Sequence, residues 1–218
     1  MKTAVLVDGG FYRKRAQKLF GQLSAKDRAE ELNNYCWRHL KEKNVKHELY
    51  RIFYYDCEPI KKKVYHPLKK QQIDFSKSDM YGWMVEFLDE LKKKRKFALR
   101  MGNLSEEQAS YSIRENIVKK LCNGTKNLSD LTEMDFKLNL DQKGVDMKIG
   151  IDIASMALKK QVEKIVLISG DSDFVPAAKL ARREGIDFVL DPMGAKIKDE
   201  LFEHIDGLRS CDKRIHNM

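Results

Sequence analysis

The sequence predicts an α/β fold built on a mainly parallel central sheet. Short apolar runs alternate with segments of helical periodicity along most of the chain. The run KIVLIS, at residues 164–169, is almost continuously apolar, which is typical of a strand covered on both faces. Helices that connect parallel strands lie on those faces, so we expect a helical layer on each side of the sheet.

The first part of the chain is predicted to contain two strands separated by two helices. The apolar run 3–8 ends at a pair of glycines and reads as a buried strand. A helix is predicted at 11–21, and apolar residues at helical spacing predict another at 25–44. Residues 45–56 are rich in β-forming side chains and predict the second strand.

The middle of the chain is less regular. Residues 57–80 contain two prolines and many charges, so they predict a loop with short helical pieces. An apolar stripe predicts a helix at 80–96. A strand at 97–104, a helix at 106–124 and a short strand at 136–142 follow.

The pattern sharpens in the last third of the chain. An apolar stripe predicts a helix at 143–161, before the strand at 164–169. A helix at 174–185 ends at a glycine, which is a common helix terminus. The last predicted strand is 186–191, and the last predicted helix is 195–206.

Composition indicates a soluble globular protein. The chain has 218 residues, of which 42% are apolar and 34% are charged. Its length suits one domain, which we assign to residues 1–218, with an elaborated basic middle section around 57–135. No apolar run reaches the roughly 18 residues of a membrane span, and the apolar start is too short for a signal peptide. The cysteines lack metal-binding spacing, so we expect reduced thiols, a cytoplasmic location and no membrane partner.

Positive charge is concentrated in the first part of the chain. The net charge is +9. Residues 1–100 contain 24 Lys and Arg against 13 Asp and Glu, a net charge of +11, whereas residues 101–218 contain 18 against 20, a net charge of −2. This asymmetry favours a nucleic-acid-binding face, although a solvated basic surface would have the same composition. The candidate nucleic-acid-binding residues are Arg13, Lys14, Arg15, Lys61, Lys62, Lys63, Lys69 and Lys70.

Four aspartates lie where predicted strands end or helices begin. Asp8 ends the first strand, and Asp171 and Asp173 follow the strand at 164–169. Asp146 starts a helix and could reach the same edge of the sheet, where sites of open parallel sheets form. Carboxylates that lie close together repel each other, and a divalent cation removes the conflict. The four are therefore candidate catalytic residues and ligands of Mg²⁺ or Mn²⁺, which prefer oxygen ligands and assist attack of water on a phosphodiester.

A purely structural role is open for each of these aspartates. Asp171 could cap the helix that follows it, and Asp173 in the first turn could favour the helix dipole. The occurrence of all four at one predicted edge favours the metal site instead. Asp152 lies about 120° around the helix from Asp146. We therefore expect Asp152 to contact the metal ligands rather than the metal, and we expect the same of Lys143. Alternatively, Asp152 pairs with Lys148 or Lys143.

Three blocks of the sequence resemble one known family. VLVDGGF, KGVDMKIGIDI and LISGDSDFVPAAKLARREG resemble signature blocks of the NYN domain family, the PIN-like group that includes LabA-type (DUF88) proteins. The blocks frame residues 3–191, and 57–135 is only loosely similar. The resemblance implies a three-layer α/β/α sandwich, an acidic metal-binding pocket formed by the four aspartates, and ribonuclease activity. It also implies that Ser169 helps to hold this pocket, whereas Gly10 stands where many relatives have Asn.

The leading hypothesis is an Mg²⁺- or Mn²⁺-dependent endoribonuclease, a hydrolase acting on single-stranded or structured RNA. An alternative is a non-catalytic RNA-binding or regulatory module on the same fold. A phosphatase of the haloacid dehalogenase type is less favoured, because it needs a second Asp two residues after the first, where Gly10 stands. The sequence leaves open whether the protein is an active enzyme, which RNA it targets and whether it forms a homodimer.

Overall fold

The computed structural model describes residues 1–42, 44–105, 109–140 and 142–211. Its helices are α1 (Gly9–Phe20), α2 (Ala25–Arg38), α3 (Asp79–Lys92), α4 (Glu115–Cys122), α5 (Val145–Leu158), α6 (Val175–Arg183) and α7 (Asp199–Phe202). Its strands are β1 (Lys2–Asp8), β2 (Lys41–Glu42), β3 (Val45–Lys46), β4 (Glu48–Cys57), β5 (Lys63–His66), β6 (Gln71–Asp74), β7 (Phe97–Leu104), β8 (Ser110–Ile113), β9 (Phe136–Asn139), β10 (Gln142–Lys143), β11 (Lys164–Ile168), β12 (Asp187–Asp191) and β13 (Gly207–Leu208).

The central sheet contains seven strands in the described part of the chain, in the order β10, β7, β4, β1, β11, β12 and β13. Six of these strands are mutually parallel, and β10 runs antiparallel to β7 at one edge. At the centre of the sheet, Val7 of β1 lies beside Tyr54 of β4 and Ile168 of β11. The predicted mainly parallel sheet is confirmed, and the carboxyl ends of these three strands meet at one edge.

Apolar side chains form a layer on each face of the sheet. Ala4 and Leu6 of β1 belong to a buried cluster with residues of α5, α6 and α7. Val5 and Val7 belong to a second cluster with residues of α1, α2 and α3. Successive side chains of a strand point to opposite faces, so one apolar strand serves both layers. The structure confirms the predicted three-layer α/β/α sandwich.

The middle section differs from the prediction. The predicted loop at 57–80 contains an antiparallel hairpin of β5 and β6, followed by a 3-10 turn at Phe75–Lys77. Within the predicted helix 106–124, residues 110–113 instead form β8, which pairs with β9 in a separate two-stranded sheet. Residues 106–108 and 141, which the predictions also covered, lie outside the described residues.

Two further boundaries were predicted wrongly. The helix predicted at 25–44 ends at Arg38, and residues 41–46 contain the short strands β2 and β3, although residue 43 lies outside the described residues. The helix predicted at 195–206 is limited to Asp199–Phe202, and β13 follows it as a further parallel strand.

The segment after β13 packs over the end of β12. Asp191, the last residue of β12, is fully buried. Its Oδ2 accepts a hydrogen bond from Tyr35 Oη at 2.6 Å and lies 2.8 Å from His39 Nε2. Its Oδ1 accepts hydrogen bonds from the Met193 N–H and from Ser210 Oγ, both at 2.7 Å. This network joins α2, β12 and the chain beyond β13.

None of the helices in the described segments is long and apolar enough to cross a lipid bilayer.

Candidate active site

Asp8 and Ser169 lie side by side at the carboxyl edge of the sheet, one residue beyond the paired Val7 and Ile168. Asp8 caps α1: its Oδ1 accepts a hydrogen bond from the Phe11 N–H at 3.0 Å. Its Oδ2 accepts one from the fully buried Ser169 Oγ at 3.1 Å. The Asp8 carboxylate is therefore held in a fixed orientation by partners from two different segments.

Asp171 and Asp173 occupy the turn between β11 and α6. The Asp171 N–H donates to Ser169 Oγ at 3.3 Å, and Asp171 Oδ1 accepts from the Asp173 N–H at 3.0 Å. Asp171 thus caps the 3-10 turn Ser172–Phe174, which is the structural role that the sequence left open. Both aspartates are exposed, so their carboxylates remain accessible to a ligand while Asp171 serves as a cap.

Asp146 lies in the first turn of α5, just after Gly144, whose φ of 82° is a left-handed conformation suited to glycine. Partial burial raises the pKa of Asp146, and the negative charges of Asp171 and Asp173 raise it further. Burial also raises the pKa of Asp8; the Phe11 N–H and the Ser169 hydroxyl lower it, and the charge of Asp146 raises it. Asp146 therefore lies within electrostatic reach of Asp8, Asp171 and Asp173, which come from two other segments of the chain.

A fifth carboxylate, which the sequence analysis did not assign, lies at the same edge. Asp56 is the penultimate residue of β4, and only 1% of its side chain is exposed. Its oxygens accept hydrogen bonds from Tyr54 Oη and the Cys57 N–H, both at 2.8 Å. Arg13 forms a bidentate ion pair with it, at 3.0 and 3.3 Å. The rule applied to Asp8, an acidic residue at the end of a parallel strand, would have found Asp56.

Arg13 lies within electrostatic reach of both Asp56 and Asp8. Burial raises the pKa of Asp56, and the Arg13 guanidinium lowers it. Burial lowers the pKa of Arg13 itself, but Tyr54, Asp56 and Asp8 raise it overall. The packing here is close: a Cβ atom at Gly9 would lie 2.5 Å from both Asp56 Oδ2 and Tyr54 Cζ. Arg13 is therefore a fixed positive charge next to the acidic cluster.

The basic residues Arg13, Lys14 and Arg15 of α1 point in different directions. Arg13 and the exposed Lys14 line a cleft at this edge of the sheet, together with Lys143 of β10. Arg15 points elsewhere, since its Nε and Nη2 donate to the carbonyl oxygen of Met193 at 3.1 and 2.6 Å.

The lysines of the middle section lie on and around the hairpin of β5 and β6. Lys61 pairs with Glu58 at 3.7 Å, and Lys69 pairs with Glu133 at 2.7 Å. The remaining candidates of this group are Lys62 and Lys63, before and at the start of β5, and Lys70, in the hairpin turn. Contact of these lysines with nucleic acid stays a prediction.

Asp152 has partners other than those expected. Its Oδ2 accepts a hydrogen bond from Tyr55 Oη at 2.8 Å and lies 3.0 Å from Arg100 Nε. Lys148 donates to the carbonyl oxygen of Met101 instead. The expected ion pair of Asp152 with Lys148 or Lys143 is therefore wrong, because Arg100 of the neighbouring β7 lies closer than the lysines of its own segment.

Comparison with known families identifies the chain. The model of the NYN domain matches residues 2–206, nearly the whole sequence. The chain belongs to the NYN domain family. This NYN domain is also similar to a crystal structure of a protein of unknown function from Vibrio parahaemolyticus, with 12% identity, a TM-score of 0.47 and coverage of 97% of this chain and 93% of that chain. No curated protein is significantly similar to it. Membership of the family is consistent with a nuclease fold.

The acidic side chains of this NYN domain fit a hard divalent cation in their chemistry. Within the described ranges, no group of three or more His, Cys, Asp or Glu side chains stands close enough to enclose a metal ion. Mg²⁺ needs only one or two protein carboxylates and keeps several of its waters. Each oxygen of Asp8 accepts one hydrogen bond and has a second lone pair available. Asp146, Asp171 and Asp173 are exposed and also carry carboxylate oxygens, the ligand type that Mg²⁺ prefers.

Proposed function

We propose that this NYN domain is an endoribonuclease that uses Mg²⁺ or Mn²⁺ to hydrolyse RNA phosphodiester bonds. One observation carries the proposal: the carboxylate of Asp146 lies within electrostatic reach of those of Asp8, Asp171 and Asp173, so three segments contribute negative charge near the carboxyl edge of the sheet. Gathering like charges is unfavourable, and clusters of this kind are enriched at functional sites. Family membership and the basic half of the sequence support the same proposal.

In this proposal the cation would be held by one or two of the carboxylates of Asp8, Asp146, Asp171 and Asp173, with waters as its other ligands. A bound divalent cation supplies Lewis-acid activation of water and of the scissile phosphate. Ser169 positions the Asp8 carboxylate through its buried hydroxyl. Arg13 places a positive charge beside the cluster, where it can attract a phosphate group of the RNA backbone.

The sharpest test separates a ligand from a helix cap. Asn caps a turn as well as Asp does, so Asp171→Asn should keep the Ser172–Phe174 turn and the melting temperature while removing one negative charge. We expect this variant to lose at least about 100-fold in Mg²⁺- or Mn²⁺-dependent cleavage of labelled RNA, because preorganised charge at such sites is worth this much. Asp89→Asn, an exposed aspartate of α3 that pairs with Lys92, is the matched control and should cleave normally.

Unchanged cleavage by Asp171→Asn would defeat the metal-ligand assignment and leave its role as a cap. If the native protein binds RNA in EDTA but cleaves no RNA with either cation, the non-catalytic RNA-binding alternative is correct. An Asp146→Asn variant completes the test, because the cap of α5 is Gly144 and not Asp146, so this variant removes a charge without removing a cap.

A further inference from the structure

Beside the acidic cluster lies a cleft of about 910 Å³. It opens at the carboxyl ends of β4 and β7, where Cys57 and Leu104 line it, and it is bounded by Gly10 of α1 and Ser78 at the start of α3. Gly10 is only two residues beyond Asp8, so the cleft and the acidic cluster share one edge of the sheet. Its size falls within the range of about 300–1,000 Å³ that is typical of ligand-binding clefts.

The lining of the cleft combines aromatic and apolar side chains with a basic rim. Phe75, Tyr81 and Met84 contribute the apolar side, and Lys14 and Lys143 contribute positive charge. At its margin Met80 has 72% of its surface exposed. Ligand-binding clefts are concave and are lined mainly by apolar and aromatic side chains with a few polar groups. Flat aromatic rings close to lysines are the features that recognise an unpaired nucleotide, with a base to stack and a phosphate to neutralise.

We propose that this cleft binds one or two unpaired nucleotides of an RNA strand, next to the phosphate held at the acidic cluster. The bases stack against Phe75 and Tyr81, and Lys14 and Lys143 neutralise the adjoining phosphates. This inference rests on the proposed nuclease function and assigns the base-binding part of its site to side chains of the cleft. In a duplex the bases are paired and stacked inside the helix and cannot enter the cleft.

Charge complementarity decides between this occupant and an apolar one. Among the described residues, the carboxylates on the lining are Asp56, which is neutralised by Arg13, and the exposed Glu58, which pairs with Lys61. Lys14 and Lys143 are both exposed, and neither takes part in an ion pair among the described residues. The cleft thus combines aromatic side chains with positive charge that no carboxylate in the described part of the chain neutralises, and this combination matches a nucleotide.

The test measures binding without catalysis. The probe is an RNA of about eight nucleotides that contains 2-aminopurine, a base analogue whose fluorescence falls on stacking, added to the full-length protein in EDTA. Tyr81→Ala should weaken binding about tenfold and remove the fluorescence change, since one stacked base contributes about this factor. Tyr65→Ala, half-exposed on β5 and outside the cleft, is the control and should change neither. Lys143→Gln should weaken binding and reduce its salt dependence, whereas Lys92→Gln on α3 should not.

Three results would overturn the inference. One is equal binding by Tyr81→Ala and the native protein, with melting temperatures confirming that both are folded. Another is an equal loss in Tyr65→Ala, and the third is binding of a blunt duplex as tight as that of the single strand. Two measurements on Asp171→Asn separate the two proposals. Unchanged cleavage with Mg²⁺ or Mn²⁺ would remove the metal-ligand assignment, and the stacking signal in EDTA decides the cleft independently.

Discussion

The ion pair between Arg13 and Asp56 offers a test of the site that does not depend on activity. Replacing Arg13 by Met keeps most of the side-chain volume and removes the guanidinium. The Asp56 carboxylate, 1% exposed, would then keep only the hydrogen bonds from Tyr54 Oη and the Cys57 N–H. A buried charge without its partner is strongly destabilising.

The size of the loss follows from the burial of the two groups. Breaking a fully buried pair by removing one partner costs about 3–5 kcal/mol. Here Arg13 is 28% exposed and two hydrogen bonds to Asp56 remain, so we expect a loss of about 2–3 kcal/mol in the free energy of unfolding at neutral pH.

The loss should also depend on pH. Burial raises the pKa of Asp56 above its ordinary value of 3.8, and Arg13 opposes that rise. When folding raises the pKa of a carboxyl, the stability of the folded protein falls as the pH increases from the ordinary pKa to the folded pKa. Without Arg13 the folded pKa rises further, so the deficit of Arg13→Met should be smaller at pH 3.8, the ordinary pKa of the carboxyl, than at neutral pH.

Urea denaturation at both pH values measures these effects. The double variant Arg13→Met, Asp56→Asn is the decisive control, because Asn does not ionise and can still hydrogen-bond to Tyr54 and the Cys57 N–H. In the Asp56→Asn background we expect Arg13→Met to lower the free energy of unfolding much less. We also expect the loss no longer to depend on pH. An equal cost of Arg13→Met with Asp or with Asn at position 56 would refute the reasoning, because the loss would then come from packing.

Three further predictions concern Asp8, its neighbour Gly9 and the cysteines. Asp8→Asn should raise the free energy of unfolding by about 0.5–2 kcal/mol at neutral pH, and because the pKa of Asp8 is raised, the gain should disappear near pH 3.8; destabilisation at neutral pH in chemical denaturation would contradict this. Gly9→Ala should lose about 1–3 kcal/mol, since its Cβ would lie 2.5 Å from Asp56 Oδ2, and an unchanged melting temperature would exclude this crowding. A thiol reagent should modify the exposed Cys122 in the folded protein and the buried Cys36 only after unfolding, as mass spectrometry of labelled peptides can show.

The sheet was predictable because each central strand is apolar on both faces. Runs such as residues 3–8 and 164–169 have few alternatives to burial between two helical layers. The hairpin of β5 and β6 gave no such signal, because it is charged, lies outside the main sheet and turns through Lys70 with a φ of 53° rather than through a glycine. β8 was missed because its tyrosine and isoleucine fit the helical spacing of α4, which begins only at Glu115.

Within the site, the parallel arrangement predicted which edge gathers carboxylates but not their individual partners. Asp8 and Asp171 lie at strand ends, as expected, and both also cap the structure that follows them. Asp56 was not predicted to belong to the site, because residues 45–56 were interpreted only as a strand of the sheet. The partner of Asp152 could not be inferred, because Arg100 comes from a strand about fifty residues away, and such contacts depend on tertiary packing.

The family match ends at residue 206, but Arg209 and Ser210, which follow it, contribute to the stability of the fold. Arg209 Nη2 donates to the carbonyl oxygen of Lys41 at 2.6 Å, and Ser210 contributes one of the four partners of Asp191. A protein truncated after residue 206 would lose both hydrogen bonds and the edge strand β13. Recombinant versions should therefore retain the chain to at least residue 211.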